Sequence, residues 1–387
     1  MLENKTRYAE QKHFIDEIGE IAEREKAEII LISGDVYDTS NPSAAAEEMF
    51  YNSAVKLAGE GERVVIATAG NHDSPDRLMA AAEILRPYGV FIIGRPGDKI
   101  PETIFGNYTV YTDENGAVVV DTGVEKAVTA ALPYVSDKRI GEIIGEAGDD
   151  EENAVSYSDK VSELLAKLSE GFSEDTINLV SAHLYTVGGE ESGSERSIQL
   201  GGSYSVRAEA FPAKAQYIAL GHLHRPQTVP GLDKRAFYSG SPLAYSKDEA
   251  AYAKAVNMVN VKAGERAQVE KIPLSCIKPI EILKCDSIEE AIEKCRDESG
   301  RESYVYLEIK SDRTLSMEEI RAIKALKADI MDIRLILDGA ETVLTEEREE
   351  LSLKDSFIDF YKKSRLAEPD DELVELFMSV MGEGEEG

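Results

Sequence analysis

Four histidines in this chain each lie directly after an apolar run, where a buried strand would end. They are His72, His183, His222 and His224, in a chain with five histidines in all. Asp35 and Asn71 occupy matching positions after two of these runs. One such histidine is usually a hydrogen-bonded core residue, but four of them together with a carboxylate and an amide are hard to explain by packing. Imidazole, carboxylate and amide ligands suit Mn²⁺, Zn²⁺ or Fe²⁺ better than Ca²⁺ or Mg²⁺.

The elements that would position these residues alternate between strand and helix. Apolar periodicity predicts helices over residues 6–26, 43–57 and 75–85, and strands over residues 28–33, 64–69, 176–182 and 216–220. Residues 90–133 contain several short β segments. Ligand-like residues at successive strand ends are typical of an α/β enzyme, and we therefore predict that fold class.

The later part of the chain changes character near Pro273. A strand–helix–strand–helix–strand pattern without histidines covers residues 280–337, and two amphipathic helices are predicted over 353–361 and 371–381. We therefore expect three parts: a site-bearing domain over 1–272, a small domain over 273–342, and a C-terminal helical segment with an acidic tail over 343–387.

Composition limits the classes of function. The 387 residues carry a formal net charge of −31, which argues against an autonomous nucleic-acid binder because such binding relies on Lys and Arg. No apolar run approaches the roughly 18 residues of a membrane helix, and the N-terminal residues lack a signal-peptide pattern. We expect a cytoplasmic protein that does not enter a membrane. The three cysteines show no CxxC pairing and predict neither a disulfide framework nor a structural zinc site.

In chain order, the motifs GD-x-x-D, GNHD, a lone His and GHLH form a set that resembles the calcineurin-like metallophosphoesterases. GDVYDT, AGNHDS, YIALGHLHRPQ and YSGSPLAYS extend the resemblance to the bacterial DNA repair nuclease subunits that work with an SbcC-type ATPase. The resemblance implies a metallophosphoesterase-type β-sandwich flanked by helices, with a βαβαβ capping domain and C-terminal helices. It implies an exonuclease or endonuclease that hydrolyses DNA phosphodiesters in end processing, repair, recombination and replication, using metal-activated water.

The same resemblance implies two divalent metals, with Mn²⁺ as the expected ion. Asp35 would bridge the two metals. Asn71, His183 and His222 would complete one site, and His224 would belong to the other.

His72 would not be primarily a ligand. In this family it faces the scissile phosphate and helps the leaving oxygen depart, and Asp38 would orient it. Asp73 is a candidate supporting residue behind the ligands. For Asp38 and Asp73 a carboxylate that merely caps the following turn is an equally good interpretation.

The sequence departs from the family at its start. The family begins with a strand that ends in D-x-H and supplies two ligands of the first metal, and this sequence shows no such segment. We expect a shortened version of an active nuclease, with an inactive truncation as the rival, and the DNA upstream of the Met1 codon would decide between them. As the chain stands, we expect weak or absent nuclease activity, mainly one occupied metal site, and an unpaired position beside the 28–33 strand.

The resemblance implies three partners: DNA, an SbcC-type ATPase, and a second copy in a homodimer within a heterotetramer. Apolar residues at helical spacing in the C-terminal segment would dock the ATPase. Their periodicity alone is explained equally well by packing against their own domain. They are Phe357, Phe360, Tyr361, Leu373, Leu376 and Phe377.

Two functions of other classes stay open. One is a phosphatase of the same superfamily, for which the βαβαβ unit and C-terminal helices would be unexpected. The other is an inactive scaffold subunit, which the missing D-x-H motif favours. If His72→Ala abolished the function of the partner, that result would contradict a scaffold role.

Overall fold

The computed structural model describes residues 2, 5–136, 156–195, 204–327, 329–337 and 340–343. The chain divides into two compact units, Met1–Ile280 and Glu281–Gly387. The two predicted C-terminal helices and the six apolar residues predicted to dock the ATPase lie outside the described residues. Among the helices that are described, none combines the length and apolar character that crossing a bilayer requires.

The first unit contains five described helices. They are α1 (Tyr8–Arg24), α2 (Ala44–Leu57), α3 (Pro75–Met79), α4 (Ala82–Leu85) and α5 (Tyr157–Leu168). The Ser43 hydroxyl caps α2 by accepting a bond from the Ala46 N–H. The single helix predicted over 75–85 is instead two short helices. The Ala80 N–H bonds to the Arg77 carbonyl, and this tight turn interrupts the α-helical ladder.

One sheet of the first unit has three parallel strands in the order β1-β2-β3, which are β1 (Ile29–Ser33), β2 (Val64–Thr68) and β3 (Val90–Ile93). The strands β2 and β3 are fully buried. All five residues of β1 are only partly buried. Among the described strands, β1 pairs with β2 alone, which agrees with the unpaired position expected beside it.

The second sheet has eight strands in the order β12-β13-β11-β8-β7-β6-β5-β4. Their bounds are β4 (Thr103–Phe105), β5 (Tyr108–Thr112), β6 (Val118–Asp121), β7 (Lys126–Leu132), β8 (Ile177–His183), β11 (Tyr217–Gly221), β12 (Gln227–Thr228) and β13 (Ala236–Tyr238). A separate short pair joins β9 (Tyr185–Thr186) to β10 (Ser205–Val206). The strands β7, β8, β11 and β13 run parallel, and Gly221 of β11 lies in register with His183 of β8. Both strands therefore end at the same edge of the sheet.

The two sheets pack face to face with helices on their outer faces. Ile66 and Phe91 of the small sheet share one buried cluster with Leu179 of the large sheet. Side chains of α2 cover the other face of the small sheet, and side chains of α5 cover the other face of the large sheet. The mixed α/β sandwich predicted from the sequence is thereby confirmed.

A hairpin of β14 (Ala255–Asn260) and β15 (Gln268–Pro273) completes the first unit. Apolar periodicity did not predict this hairpin. Val259 and Val269 pack against the cluster between the sheets, and most other hairpin side chains remain partly exposed, which leaves the hydrophobic pattern weak.

The second unit is built on a four-stranded sheet in the order β16-β17-β18-β19. Its elements are β16 (Ile280–Cys285), α6 (Ile288–Asp297), β17 (Tyr304–Ser311), α7 (Met317–Leu326), β18 (Ile330–Leu337) and β19 (Ala340–Val343). The first five follow the predicted βαβαβ order, and β19 adds an antiparallel strand. Ala291, Val305 and Ile323 belong to a buried cluster of this unit alone.

Candidate metal centre

The strands that precede the predicted ligands end close together in the first unit. The Ser33 hydroxyl, at the end of β1, lies 3.0 Å from the Ser181 hydroxyl of β8 and 3.3 Å from the Ala219 carbonyl of β11. The end of the small sheet therefore meets the carboxyl ends of two strands of the large sheet. This is the edge at which parallel α/β sheets place ligands.

Two glycines permit this close approach. Gly34 adopts a φ of +88°, and a Cβ there would lie 2.2 Å from the His183 Nδ1 atom. At Gly221 a Cβ would lie 1.7 Å from the Ser33 carbonyl oxygen, a contact that the backbone could not accept without moving. Residues without a side chain at these positions let the loops of the two sheets touch.

Asp35, His183 and His222 form a cluster of potential metal ligands. One ligand atom from each residue lies within 4.8 Å of the others. The His183 Nε2 atom is 3.2 Å from Asp35 Oδ2. The Asn71 Oδ1 atom lies 2.9 Å from His183 Nε2 and 3.2 Å from His222 Nδ1. Four of the predicted ligands therefore converge on one small volume.

The orientation of His183 leaves its inward nitrogen available. Its Nδ1–H donates to the Ser33 carbonyl at 2.8 Å, and the ring is fully buried. The Nε2 atom consequently faces the side-chain oxygens of Asp35 and Asn71. A backbone carbonyl that fixes the tautomer in this way is a common support of metal-binding histidines.

Two residues of the cluster adopt backbone conformations that are unusual for residues with side chains. Asp35 has a φ of +51° and His222 has a φ of +104°. Such conformations cost of order 1–3 kcal/mol and persist where the surrounding structure imposes them, often at functional sites. The strain is located at two of the three clustered ligands.

The electrostatics of the cluster favour the cation-accepting forms of Asp35 and His222. Burial opposes ionisation of Asp35, but contacts with His183 and His72 outweigh burial and hold the Asp35 pKa well below its usual range. Burial together with the nearby His183 lowers the pKa of His222 to about 3, so this ring is neutral at pH 7. Burial alone would lower the pKa of His183, but the adjacent Asp35 raises it. A carboxylate, an amide oxygen and two imidazoles fit a divalent transition metal.

His72 lies beside this cluster and is held by hydrogen bonds of its backbone N–H and of its ring. Its backbone N–H donates to Asp35 Oδ1 at 3.0 Å, and its ring Nδ1 lies 3.0 Å from the Asp38 carbonyl oxygen. The Asp38 carboxylate is farther away, with Oδ1 at 3.9 Å from Nδ1, and is largely exposed. The His72 Nε2 atom is 4.0 Å from Asp35 Oδ2. Asp38 therefore contacts the ring mainly through its backbone.

Asp73 ties two loops of the site together. Its Oδ2 accepts bonds from the N–H groups of Gly70 at 2.8 Å and Val36 at 3.1 Å, and its Oδ1 accepts from Tyr37 at 2.9 Å. Burial raises its pKa, while these backbone bonds oppose the rise. The carboxylate caps the turn that carries Asn71 and His72, and it also holds the loop that carries Asp35.

His224 lies outside the three-residue cluster. Its Nδ1 is 2.7 Å from the Ser194 hydroxyl and 3.2 Å from Glu249 Oε1, and its N–H donates to Glu195 Oε1 at 2.9 Å. These three contacting residues were not among the predicted site residues. Ser194 and Glu195 fall in a stretch of sequence rich in Gly, Ser and Glu, and Glu249 follows Lys and Asp as a surface residue would. No sequence signal distinguishes them, because only folding brings them to His224.

Comparison with known proteins agrees with this geometry. The family model described as calcineurin-like phosphoesterase matches residues 6–226, a range that contains all the clustered side chains. The SbcD subunit of the nuclease SbcCD from Bacillus subtilis is 36% identical over 390 residues, covering 100% of this chain and 95% of that protein.

The SbcD subunits of two other bacteria are also similar. The one from Rhodobacter capsulatus is 32% identical over 291 residues, covering 72% of this chain and 67% of that protein. The one from Escherichia coli K12 is 29% identical over 369 residues, covering 90% of this chain and 86% of that protein. The chain therefore belongs to the calcineurin-like phosphoesterase family, in the group of SbcD nuclease subunits.

Proposed function

We propose that this chain is a metal-dependent DNA nuclease subunit that works with an SbcC-type ATPase in DNA end processing, repair and recombination. The observation that supports it most directly is the convergence of Asp35, His183 and His222, with Asn71 between the two rings. This donor set suits the metal-assisted cleavage of phosphoesters, and the names of the relatives supply the substrate class and the partner.

Asp35, Asn71, His183 and His222 would hold one divalent ion, and Mn²⁺ is the ion we propose. His224, with Asp35 as the bridging ligand, would belong to a second site, which lacks the two ligands of the family's D-x-H segment and would hold its ion more weakly. Divalent ions in such a site stabilise charge that develops on phosphoryl oxygens and lower the pKa of water from about 15.7 towards 7.

His72 would act on the leaving group. With Nδ1–H donated to the Asp38 carbonyl, the Nε2 atom is free to carry a second proton. As the phosphorus–oxygen bond breaks, protonated His72 would give the Nε2 proton to the departing oxygen. Asp38 would be a positioning residue, because its carbonyl orients the ring.

The net charge of −31 requires a source of attraction for DNA other than free surface cations near the site. Three arginines that could serve this role are already paired: Arg77 with Glu47, Arg207 with Asp159, and Arg225 with Glu190. Bound metal ions and a basic surface of the ATPase would therefore supply the attraction. A DNA substrate would also require a cytoplasmic location in a bacterial cell.

The catalytic part of the proposal is tested by incubating the chain with Mn²⁺, ATP, an SbcC-type ATPase and linear duplex DNA. Metal-dependent DNA cleavage, even if weak, that His183→Ala abolishes supports it. Hydrolysis of a phosphomonoester without DNA cleavage would indicate a phosphatase instead. Neither activity, with intact ATPase association, would indicate a scaffold subunit.

The partner proposal concerns residues 343–387. We propose that Phe357, Phe360, Tyr361, Leu373, Leu376 and Phe377 dock the ATPase, and that the chain forms a homodimer within a heterotetramer. Deleting residues 351–387 is expected to abolish co-purification with the ATPase while the thermal unfolding of the first unit stays unchanged. Retention of the ATPase by the shortened chain would contradict the docking proposal.

A further inference from the structure

Glu249 is a completely buried carboxylate that the proposed reaction does not use. It lies in a short helical turn, Lys247–Ala251, and none of its surface is exposed. Burying a carboxylate is costly unless charged and hydrogen-bonding partners surround it. Its partners are Lys254, Ser241, Ser194 and His224.

The two carboxylate oxygens face different partners. Oε2 accepts bonds from the Lys254 ammonium and from the Ser241 hydroxyl, the latter at 2.9 Å, and Lys254 also donates to Ser241 at 2.8 Å. Oε1 faces the Ser194 hydroxyl and the His224 ring. One oxygen is thus anchored by a buried cation while the other points at a predicted metal ligand.

This network selects one tautomer of His224. The Ser194 hydroxyl donates its proton to Glu249 Oε1, so its oxygen can only accept from the His224 Nδ1 atom, 2.7 Å away. The carboxylate oxygen, 3.2 Å from the same nitrogen, is also an acceptor. Nδ1 therefore carries the proton, and the Nε2 lone pair is free.

The main chain of His224 is held by Glu195 and by Lys254. Its N–H donates to Glu195 at 2.9 Å, and its carbonyl accepts a bond from Lys254 Nζ at 3.4 Å. Lys254 therefore contacts both Glu249 and the backbone of the histidine that Glu249 orients. A buried ion pair that served packing alone would not need to reach this ring.

We propose that Glu249 is a positioning residue for His224: anchored by Lys254 and Ser241, it holds the imidazole in the Nδ1–H tautomer and presents Nε2 to a divalent cation. This inference rests on the proposed metal centre. A carboxylate that accepts from the outer nitrogen of a metal-binding histidine increases the basicity of the inner one, and its loss typically lowers metal affinity by about 10–100-fold.

The test uses the full chain and Mn²⁺ alone, without DNA. Mn²⁺ affinity is measured by calorimetric titration, and the His224 tautomer is read from imidazole ¹⁵N chemical shifts of the metal-free chain. Glu249→Gln is expected to weaken Mn²⁺ binding about 10–100-fold at the site that His224→Ala removes, and to populate the Nε2–H tautomer. Glu281→Gln is the control, because Glu281 also pairs with a cation, Arg301 at 2.9 Å, but lies in the second unit, and it should leave both readouts unchanged.

Ser194→Ala provides a second variant in case Glu249→Gln does not fold. Ser194 is only half-buried, so the chain should tolerate the change, and loss of one of two acceptors should weaken Mn²⁺ binding several-fold. If His224→Ala leaves Mn²⁺ binding unchanged, the second metal site fails and this inference fails with it. If His224→Ala weakens binding but the Glu249 and Ser194 variants keep the wild-type tautomer and affinity, only the inference is overturned.

Discussion

The ring of His72 is held by a backbone group, which makes its own side chain the informative one to change. The contact of its Nδ1 with the Asp38 carbonyl does not depend on the Asp38 side chain. Replacing His72 with alanine removes the proposed proton donor but leaves Asp35, His183 and His222 in place.

We predict that His72→Ala lowers DNA cleavage by about 10²–10⁴-fold, the usual contribution of a positioned general acid. Mn²⁺ affinity should change little, because His72 is not among the clustered ligands. Asp38→Asn is the companion variant and should cost about tenfold or less in cleavage, because the carbonyl that orients the ring remains. Equal losses in both variants would show that the Asp38 carboxylate, rather than its carbonyl, controls His72.

Asp73 is expected to contribute to the stability of the folded chain. Asp73→Asn places an amide donor against at least one of the three N–H groups that the carboxylate accepts, and the free energy of unfolding should fall by about 1–3 kcal/mol. Denaturant unfolding measures this loss. Asp76→Asn, three residues away and 81% exposed at its side chain, is the control and should change stability by about 0.5 kcal/mol or less. Unchanged stability in Asp73→Asn would contradict the loop-tying role.

At the scale of elements, the site depends on the meeting of strand ends from two different sheets. Gly221 closes β11 in register with His183 and directly precedes His222. The close contact of its backbone with the Ser33 carbonyl joins the large sheet to β1.

We predict that Gly221→Ala lowers the free energy of unfolding by about 1–3 kcal/mol or more, because its Cβ would overlap backbone that cannot relax locally. Displacement of His183 and His222 should also weaken Mn²⁺ binding. In Gly300→Ala the added Cβ meets nothing within 4 Å, so this variant should be neutral in both measurements. A Gly221→Ala variant with wild-type Mn²⁺ affinity would show that the strand ends need not be so close.

At the scale of the whole molecule, the two units have separate cores. The buried cluster around Val305 and Ile323 draws all its members from the second unit, and the three clusters of the first unit draw theirs from residues 18–269. Every predicted ligand and His72 lies in the first unit.

A chain of residues 1–280 should therefore fold by itself and bind Mn²⁺ with the affinity of the full chain. With Mn²⁺ at about 100 times its dissociation constant, both proteins should gain about 2.7 kcal/mol of stability, measured by thermal or denaturant unfolding. His183→Ala in either chain should remove most of this gain. A short chain that folds but does not respond to Mn²⁺ would show that the second unit contributes to the metal centre.

Local patterns in the sequence were sufficient for most elements and for the residues that cluster at the candidate metal centre. Helices α1 and α2, strands β1, β2, β8 and β11, and the βαβαβ order of the second unit follow from apolar periodicity, which reports burial along a single element. Asp35, Asn71, His183 and His222 stand out because each directly follows or ends such a strand, and parallel strands deliver such residues to a common edge. The break between α3 and α4 and the β14–β15 hairpin depended on turn and packing details that periodicity does not contain.

The sequence by itself determined the fold class and named the residues that could bind metal, because both depend on residue types at fixed spacing along the chain. The tertiary structure decided the rest. It brought Asp35, His183 and His222 within 4.8 Å, made Asp73 an acceptor for three backbone N–H groups, and buried Glu249 against His224. The physical reason is that burial and hydrogen bonding of a polar side chain depend on segments far away in sequence: Glu249 is 25 residues from His224 and 55 from Ser194.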